Sequence, residues 1–384
     1  MAVGDKVKIE YSRFRDSKTG VEVFRLTDGR GNTIHPYFTQ NLMTPDGNTI
    51  LLTSDRTGQW QLYALDIGEG ELTQLTGDAW ISPHAPCLDG VNRIAYYWSS
   101  NMLKSVNIDT FETEVIYSAP EGFRPGILSI TPDGRYLAFA YVENLPVSTL
   151  RGRIYSDMLE RMYQRPRSVV MRIDLPRREA LAVWGEAAWI SHVNISPVDP
   201  NIILFCHEGR WHLVQRMWIV RADTHEIWPL VVQKKYLERA GHEFFASDGR
   251  VVAQYARRDS PSSKEWIHYD IFVNPDGSAL KKYRYPARGP GHIKTNSKCT
   301  HAVGDRGFIS KDFAEGGAYI SLIKYEDGVA RLKLLCRHNT SWLSQRSHPH
   351  PIFTPDDANV IFTSDMEGTC NVYMVPVEKI MEEF

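Results

Sequence analysis

The stretch Leu42-Met43-Thr44-Pro45-Asp46-Gly47, followed by Ile50-Leu51-Leu52-Thr53-Ser54-Asp55 and then by Gln61-Leu62-Tyr63-Ala64-Leu65-Asp66, reads as strand, turn, strand, loop, strand. Proline presets φ for the turn, aspartate bonds the backbone beyond it, and glycine takes the positive φ. Ser129-Ile130-Thr131-Pro132-Asp133-Gly134 with Tyr136-Leu137-Ala138-Phe139 repeats the pattern, as does Phe353-Thr354-Pro355-Asp356-Asp357 with Val360-Ile361-Phe362-Thr363-Ser364-Asp365. Weaker copies centre on Asp89-Gly90, Pro197-Val198-Asp199, Ser247-Asp248-Gly249 and Gly304-Asp305-Arg306-Gly307. These seven turns recur at intervals of 43 to 66 residues, close to the roughly 40 to 50 residues of a four-stranded blade.

The repeat predicts an all-β fold, a seven-bladed β-propeller with four-stranded antiparallel blades, as a single domain over residues 1–384. An insertion at about 143–168 carries Tyr155 to Tyr163, read as the only helical stretch. The N-terminal segments Val7-Lys8-Ile9-Glu10 and Val21-Glu22-Val23-Phe24-Arg25-Leu26 precede the first full blade. At least one of them is expected to pair with the last blade, because closing the ring removes two exposed sheet edges.

Composition narrows the function classes. The 44 Lys plus Arg nearly cancel 46 Asp plus Glu, giving a net charge of −2 with no basic block, which argues against a nucleic-acid partner. No window approaches the roughly 20 apolar residues of a membrane-spanning helix, and the N-terminus lacks the apolar run of a signal peptide, so a cytoplasmic protein without a membrane partner is expected. Cys87, Cys206, Cys299, Cys336 and Cys370 are odd in number and scattered, and read as reduced core thiols.

Histidines gather just upstream of the turns. His84 lies five residues before its turn aspartate, His242 and His350 six, His192 seven and His348 eight, where an inner strand would enter one face of the central channel. Any one of them could simply satisfy buried backbone groups, but independent core histidines have no reason to share one end of one strand type. In Gln345-Arg346-Ser347-His348-Pro349-His350-Pro351, two histidines at i and i+2 of an extended strand would project to one side about 7 Å apart at Cα. With an amide oxygen from Gln345 and an imidazole from His292 in Gly289-Pro290-Gly291-His292, they offer three nitrogens and one neutral oxygen to a divalent ion such as Mn²⁺, with zinc, nickel or iron also compatible. His242, expected beside that ion but not bound to it, would titrate near about 6.5 and accept a proton. Arg216, in the loop that follows Cys206-His207-Glu208-Gly209, could grip a substrate carboxylate bidentately or serve as a structural ion pair.

Cys206-His207-Glu208-Gly209 followed by Arg216-Met217-Trp218, Gly241-His242-Glu243-Phe244, Gly289-Pro290-Gly291-His292 and Gln345 to Pro351, taken in order, resemble the oligogalacturonate lyases over essentially the full length. The resemblance implies a cytoplasmic seven-bladed propeller that finishes pectin breakdown. It further implies Mn²⁺ on His292, Gln345, His348 and His350, His242 as Brønsted base and Arg216 as active-site arginine. The implied reaction is β-elimination of small 4-linked galacturonate oligosaccharides, digalacturonate above all, to 4,5-unsaturated uronate products. Two rivals stay open: a lyase or hydrolase on another uronate oligosaccharide, and a non-catalytic propeller that serves as a binding platform. No role is assigned to His84, His192 or His207, and the oligomeric state is not fixed by the sequence.

Overall fold

The computed structural model describes residues 1–148, 155–306 and 318–384. The chain divides into two compact units, one of residues 1–116, 290–324 and 331–384 and the other of residues 117–289 and 325–330.

The Thr-Pro-Asp turns show why the motif repeats. In the first, Thr44 donates its hydroxyl to Asp46 Oδ1 (2.5 Å), Asp46 Oδ1 accepts the Asn48 N–H (3.0 Å), and the Thr44 N–H closes the turn on the Thr49 carbonyl (3.0 Å). Thr131 with Asp133 and Thr354 with Asp356 repeat the hydroxyl–carboxylate bond at 2.5 Å. Gly47 and Gly134 take φ of 72° and 71°, and in the third copy Asp357 takes 62°, a conformation that short polar side chains tolerate.

In the first unit, one antiparallel sheet runs in the order Lys6–Lys8, Glu71–Gln74, Gln61–Asp66, Thr49–Ser54, Thr33–Ile34. A second holds Cys87–Asp89, Ile94–Ser99, Met102–Asn107 and Thr113–Ser118, whose last residues run into the other unit. A third group places Ile293–Thr295, His301–Arg306, Tyr319–Glu326 and Val329–Arg337 side by side, with residues 325–330 counted in the other unit. The last combines Ser12–Arg15 and Glu22–Arg25 with Asn371–Pro376, Asn359–Ser364 and Ile352–Phe353, with Phe24 opposite Met374. An N-terminal strand therefore pairs with the C-terminal sheet, and it comes from the second of the two N-terminal segments.

The second unit holds three such groups. Phe123–Pro125, Tyr136–Glu143, Arg167–Asp174 and Glu179–Ala187 form the first, with Ser129–Ile130 also pairing the Tyr136 strand. Ile190–Ile195, Ile202–His207, Met217–Arg221 and Ile227–Pro229 form the second, and Glu238–Phe245, Val251–Arg257, Ile267–Val273 and Lys281–Arg284 the third.

Within each unit neighbouring sheets pack face to face. Leu51, Leu62 and Ala64 share a core cluster with Leu88, Ala95, Tyr97 and Val106 of the next sheet, and Val170 and Val183 share one with Ile203, Phe205 and Val220. Covering both faces explains why Ile50-Leu51-Leu52 is an apolar run rather than an alternating one, and why Thr49–Ser54 is buried throughout.

Two expectations are corrected. The turn of the Ile293–Thr295 strand is not at Asp305: Asn296 N–H bonds the His301 carbonyl, and Asp305 lies fully buried inside His301–Arg306. The real turn, Asn296-Ser297-Lys298-Cys299-Thr300, carries neither Pro nor Gly, so it escapes a search for Pro-Asp-Gly; Gly307 of the expected turn lies outside the described residues. The helix of the insertion spans Met158–Gln164, with residues 149–154 outside the description. It is not the only helical stretch, since Glu378–Glu382 and the 3-10 turn Gln345–Ser347 are helical as well. Among the described residues no helix is long and apolar enough to cross a membrane.

Candidate metal centre and candidate base

Moving that turn back to Asn296 reveals a shared position. His192, His242, His292 and His350 each stand four residues before the residue whose N–H closes the turn, respectively Ser196, Ala246, Asn296 and Thr354. Three of them adopt left-handed backbone, with φ of 50° at His192, 53° at His242 and 47° at His350. At His192 and His242 the strand register slips, between Ser191 and Asn194 and between Gly241 and Phe244, so each histidine rides a β-bulge that re-aims its side chain.

In the first unit, His292, His348 and His350 converge. Their ring centroids lie 4.3 Å (His292–His350), 5.4 Å (His292–His348) and 5.5 Å (His348–His350) apart. One ligand nitrogen from each falls within 4.8 Å of the others. His348 and His350 do not lie on the extended strand expected of them. They follow the 3-10 turn Gln345–Ser347, His348 is extended at φ −75°, ψ 133°, and His350 is left-handed.

Asp305 fixes the third imidazole. Its Oδ2 accepts the His292 Nδ1–H at 2.7 Å and its Oδ1 accepts the His292 backbone N–H at 2.7 Å; Oδ2 also takes the His350 backbone N–H at 3.3 Å. Burial alone would raise the Asp305 pKa, but the facing His292 and its hydrogen bonds outweigh it and hold the carboxyl below its usual range. Gly291 is required by this approach, because a Cβ there would lie 2.7 Å from Asp305 Oδ1.

Aromatic rings wall the cluster: Phe38 is 5.5 Å from both His292 and His350, Trp342 is 4.6 Å from His348, and Tyr37 is 4.9 Å from His350. His84 stands 6.5 Å from His350, edge to face. Burial, reinforced by the neighbouring imidazoles, lowers His348 to about 4 and pushes His350 well below the ordinary histidine value. The rings are thus neutral and able to ligate. Among the described residues, Nδ1 of His348 and Nε2 of His350 are buried without a hydrogen-bond partner. Three buried imidazoles, one braced by a carboxylate, fit a divalent transition-metal ion.

In the second unit, His242 Nδ1 meets Gln254 Oε1 at 2.8 Å, and its ring stands edge to face on Trp211 at 4.8 Å. Arg216 departs from the sequence expectation of a loop arginine open to substrate. It is 1% exposed, and Nε and Nη2 donate to Glu243 (2.8 and 3.2 Å) while Nη1 donates to Glu208 (2.8 Å). Its guanidinium also lies 5.2 Å over Trp211. With every guanidinium nitrogen already engaged by Glu243 or Glu208, Arg216 ties the bulge that carries His242 to the core. Glu208 also receives Ser191 Oγ at 3.0 Å and faces His192 Nε2 at 3.4 Å.

A family model described as oligogalacturonate lyase matches residues 1–381. The chain belongs to the oligogalacturonate lyase family. Curated members from Pectobacterium atrosepticum and Dickeya dadantii are 29% and 28% identical to it, each alignment covering 98% of both chains. A solved oligogalacturonate lyase in complex with manganese superposes with a TM-score of 0.88 at 26% identity, over 99% of this chain and all of the other. The enzyme from Vibrio parahaemolyticus gives 0.87 at 26% identity, with the same coverage.

Sequence reasoning named the three clustered histidines but missed Asp305, Glu208, Glu243, Gln254 and Trp211. Glu208 and Glu243 each follow a histidine of a quoted motif, and that adjacency was the available signal. Asp305 was hidden by being read as a turn residue.

Proposed function

We propose that this protein is an oligogalacturonate lyase that cleaves small 4-linked galacturonate oligosaccharides by β-elimination, with His292, His348, His350 and Gln345 holding a Mn²⁺ ion and His242 acting as base. The observation that carries this is the convergence of three buried imidazoles, with His292 braced by Asp305. We read the six sheets, the eight-stranded one divided at the parallel pair Arg284–Val329 into two groups of four and the C-terminal one recruiting Glu22–Arg25, as the blades of a single-domain seven-bladed propeller. Five free cysteines support a reducing, cytoplasmic setting.

The hydrogen removed is on C5, α to the C6 carboxylate, and that carboxylate's charge makes it a poor acid. A divalent ion bound by the histidines supplies positive charge that offsets the carboxylate and favours build-up of negative charge on it. His242 takes the C5 proton through Nε2, because its Nδ1 faces an amide oxygen. The C5–H electrons form the C4=C5 double bond, the C4–O4 bond breaks, and O4 leaves with a proton as the new hydroxyl of the departing saccharide. A digalacturonate yields one unsaturated and one saturated monosaccharide. Arg216 acts by locking Glu243, the residue after the base, into the core.

His242→Ala is expected to keep its metal while its turnover of digalacturonate falls by about 10² or more. Wild-type turnover in that variant would remove His242 as the base, and loss of metal on elemental analysis would make it a ligand.

A further inference from the structure

We infer that Gln254 is a positioning residue that sets which nitrogen of His242 takes the proton. With His242 as the base, the assignment on which this rests, the two ring nitrogens must be held in unequal states. Gln254 lies on Val251–Arg257 directly opposite Gly241, at the point where the register slips. The left-handed backbone of His242 swings its ring out of the strand alternation, and Nδ1 lands 2.8 Å from Gln254 Oε1.

A carboxamide oxygen only accepts. Nδ1 therefore carries the hydrogen and Nε2 keeps its lone pair; the opposite tautomer would set two lone pairs against each other. Trp211 holds the ring plane, and Gly241 is needed beside it, because a Cβ there would come within 2.8 Å of the indole. The charged groups around the bulge are Glu243, next along the strand, and Arg216 and Glu208 paired with it and with each other, with His192 on Glu208.

The contrast with His292 is chemical. A carboxylate behind an imidazole raises its basicity and suits a permanent ligand. An amide fixes the tautomer without adding a charge.

The test uses Gln254→Leu and Gln254→Glu beside the wild type. In metal-free protein labelled with ¹⁵N-histidine, the ring nitrogen shifts report the tautomer and titration of His242. Wild type is expected to show Nδ1–H alone, Gln254→Leu a mixture of tautomers, and Gln254→Glu a titration moved up by about one unit or more, from the added charge. In the Mn²⁺-loaded enzymes, Gln254→Leu should lower kcat by about tenfold or more with metal content unchanged, and Gln254→Glu should move the acid limb of kcat/KM to higher pH. The inference is overturned if Gln254→Leu keeps a single Nδ1–H tautomer and the wild-type pH profile. If His242→Ala proves fully active, the base assignment falls, while the nitrogen shifts still decide whether Gln254 sets the tautomer.

Discussion

Asp305 holds His292 at two points, side chain and backbone, through both carboxylate oxygens at 2.7 Å. The contact fixes Nδ1 as the protonated nitrogen of a ring whose centroid lies 4.3 Å from that of His350 and 5.4 Å from that of His348. It also places Asp305 against the candidate metal centre.

Asp305→Asn removes the charge while keeping an acceptor. It is expected to weaken Mn²⁺ binding by about 10- to 100-fold, measured by calorimetric titration of metal into chelated protein. Gly291→Ala should act in the same direction, because its methyl group would displace the Asp305 carboxylate.

A ligand that binds the folded chain alone raises its stability. At Mn²⁺ about 100-fold above its dissociation constant the gain is about 2.7 kcal/mol, so a chelator should lower Tm. In His350→Ala the thermal transition should no longer respond to Mn²⁺ or chelator, as scanning calorimetry would show.

Arg216→Met leaves Glu208 and Glu243 buried without their shared cation. The expected cost is about 3–5 kcal/mol, read from urea denaturation. An arginine with only a substrate-binding role would cost almost nothing in that measurement, so stability separates the two roles where an activity assay cannot.

Asp270 gives the fold a pH dependence of its own. Buried and bonded through Oδ2 to the hydroxyls of Tyr285 and Tyr325, it is raised by burial from 3.8 to about 7. The folded chain therefore binds a proton that the unfolded chain releases. The associated stability is present below pH 3.8 and is lost progressively as pH rises to about 7. Asp270→Asn should flatten this slope and be more stable than wild type by a few kcal/mol at about pH 8, by urea denaturation across the range.

The repeat was legible because Thr-Pro-Asp-Gly makes its own local hydrogen bonds, so turns at Thr44, Thr131 and Thr354 need no tertiary context. Where the turn is built from Asn296 and Thr300 the local code differs, and the error there displaced Asp305 from strand to loop. The clustered histidines were legible through the His-Pro-His spacing, although the geometry reasoned from was wrong, since left-handed backbone at His350 and not an extended strand brings the rings together. The partners of the functional groups were not legible, because Asp305 on His292, Gln254 on His242 and Glu243 on Arg216 meet only through strand register and a β-bulge. Burial likewise turned Arg216 from an expected substrate contact into a fully paired core residue.

The most direct test of the lyase reaction is the ultraviolet absorbance of the 4,5-unsaturated uronate while the protein consumes digalacturonate, with and without chelator. The expected result is absorbance that rises in step with substrate loss, stops when metal is removed and returns with Mn²⁺. Digalacturonate consumed without that absorbance, or absorbance that persists in fully metal-free protein, would contradict metal-assisted β-elimination.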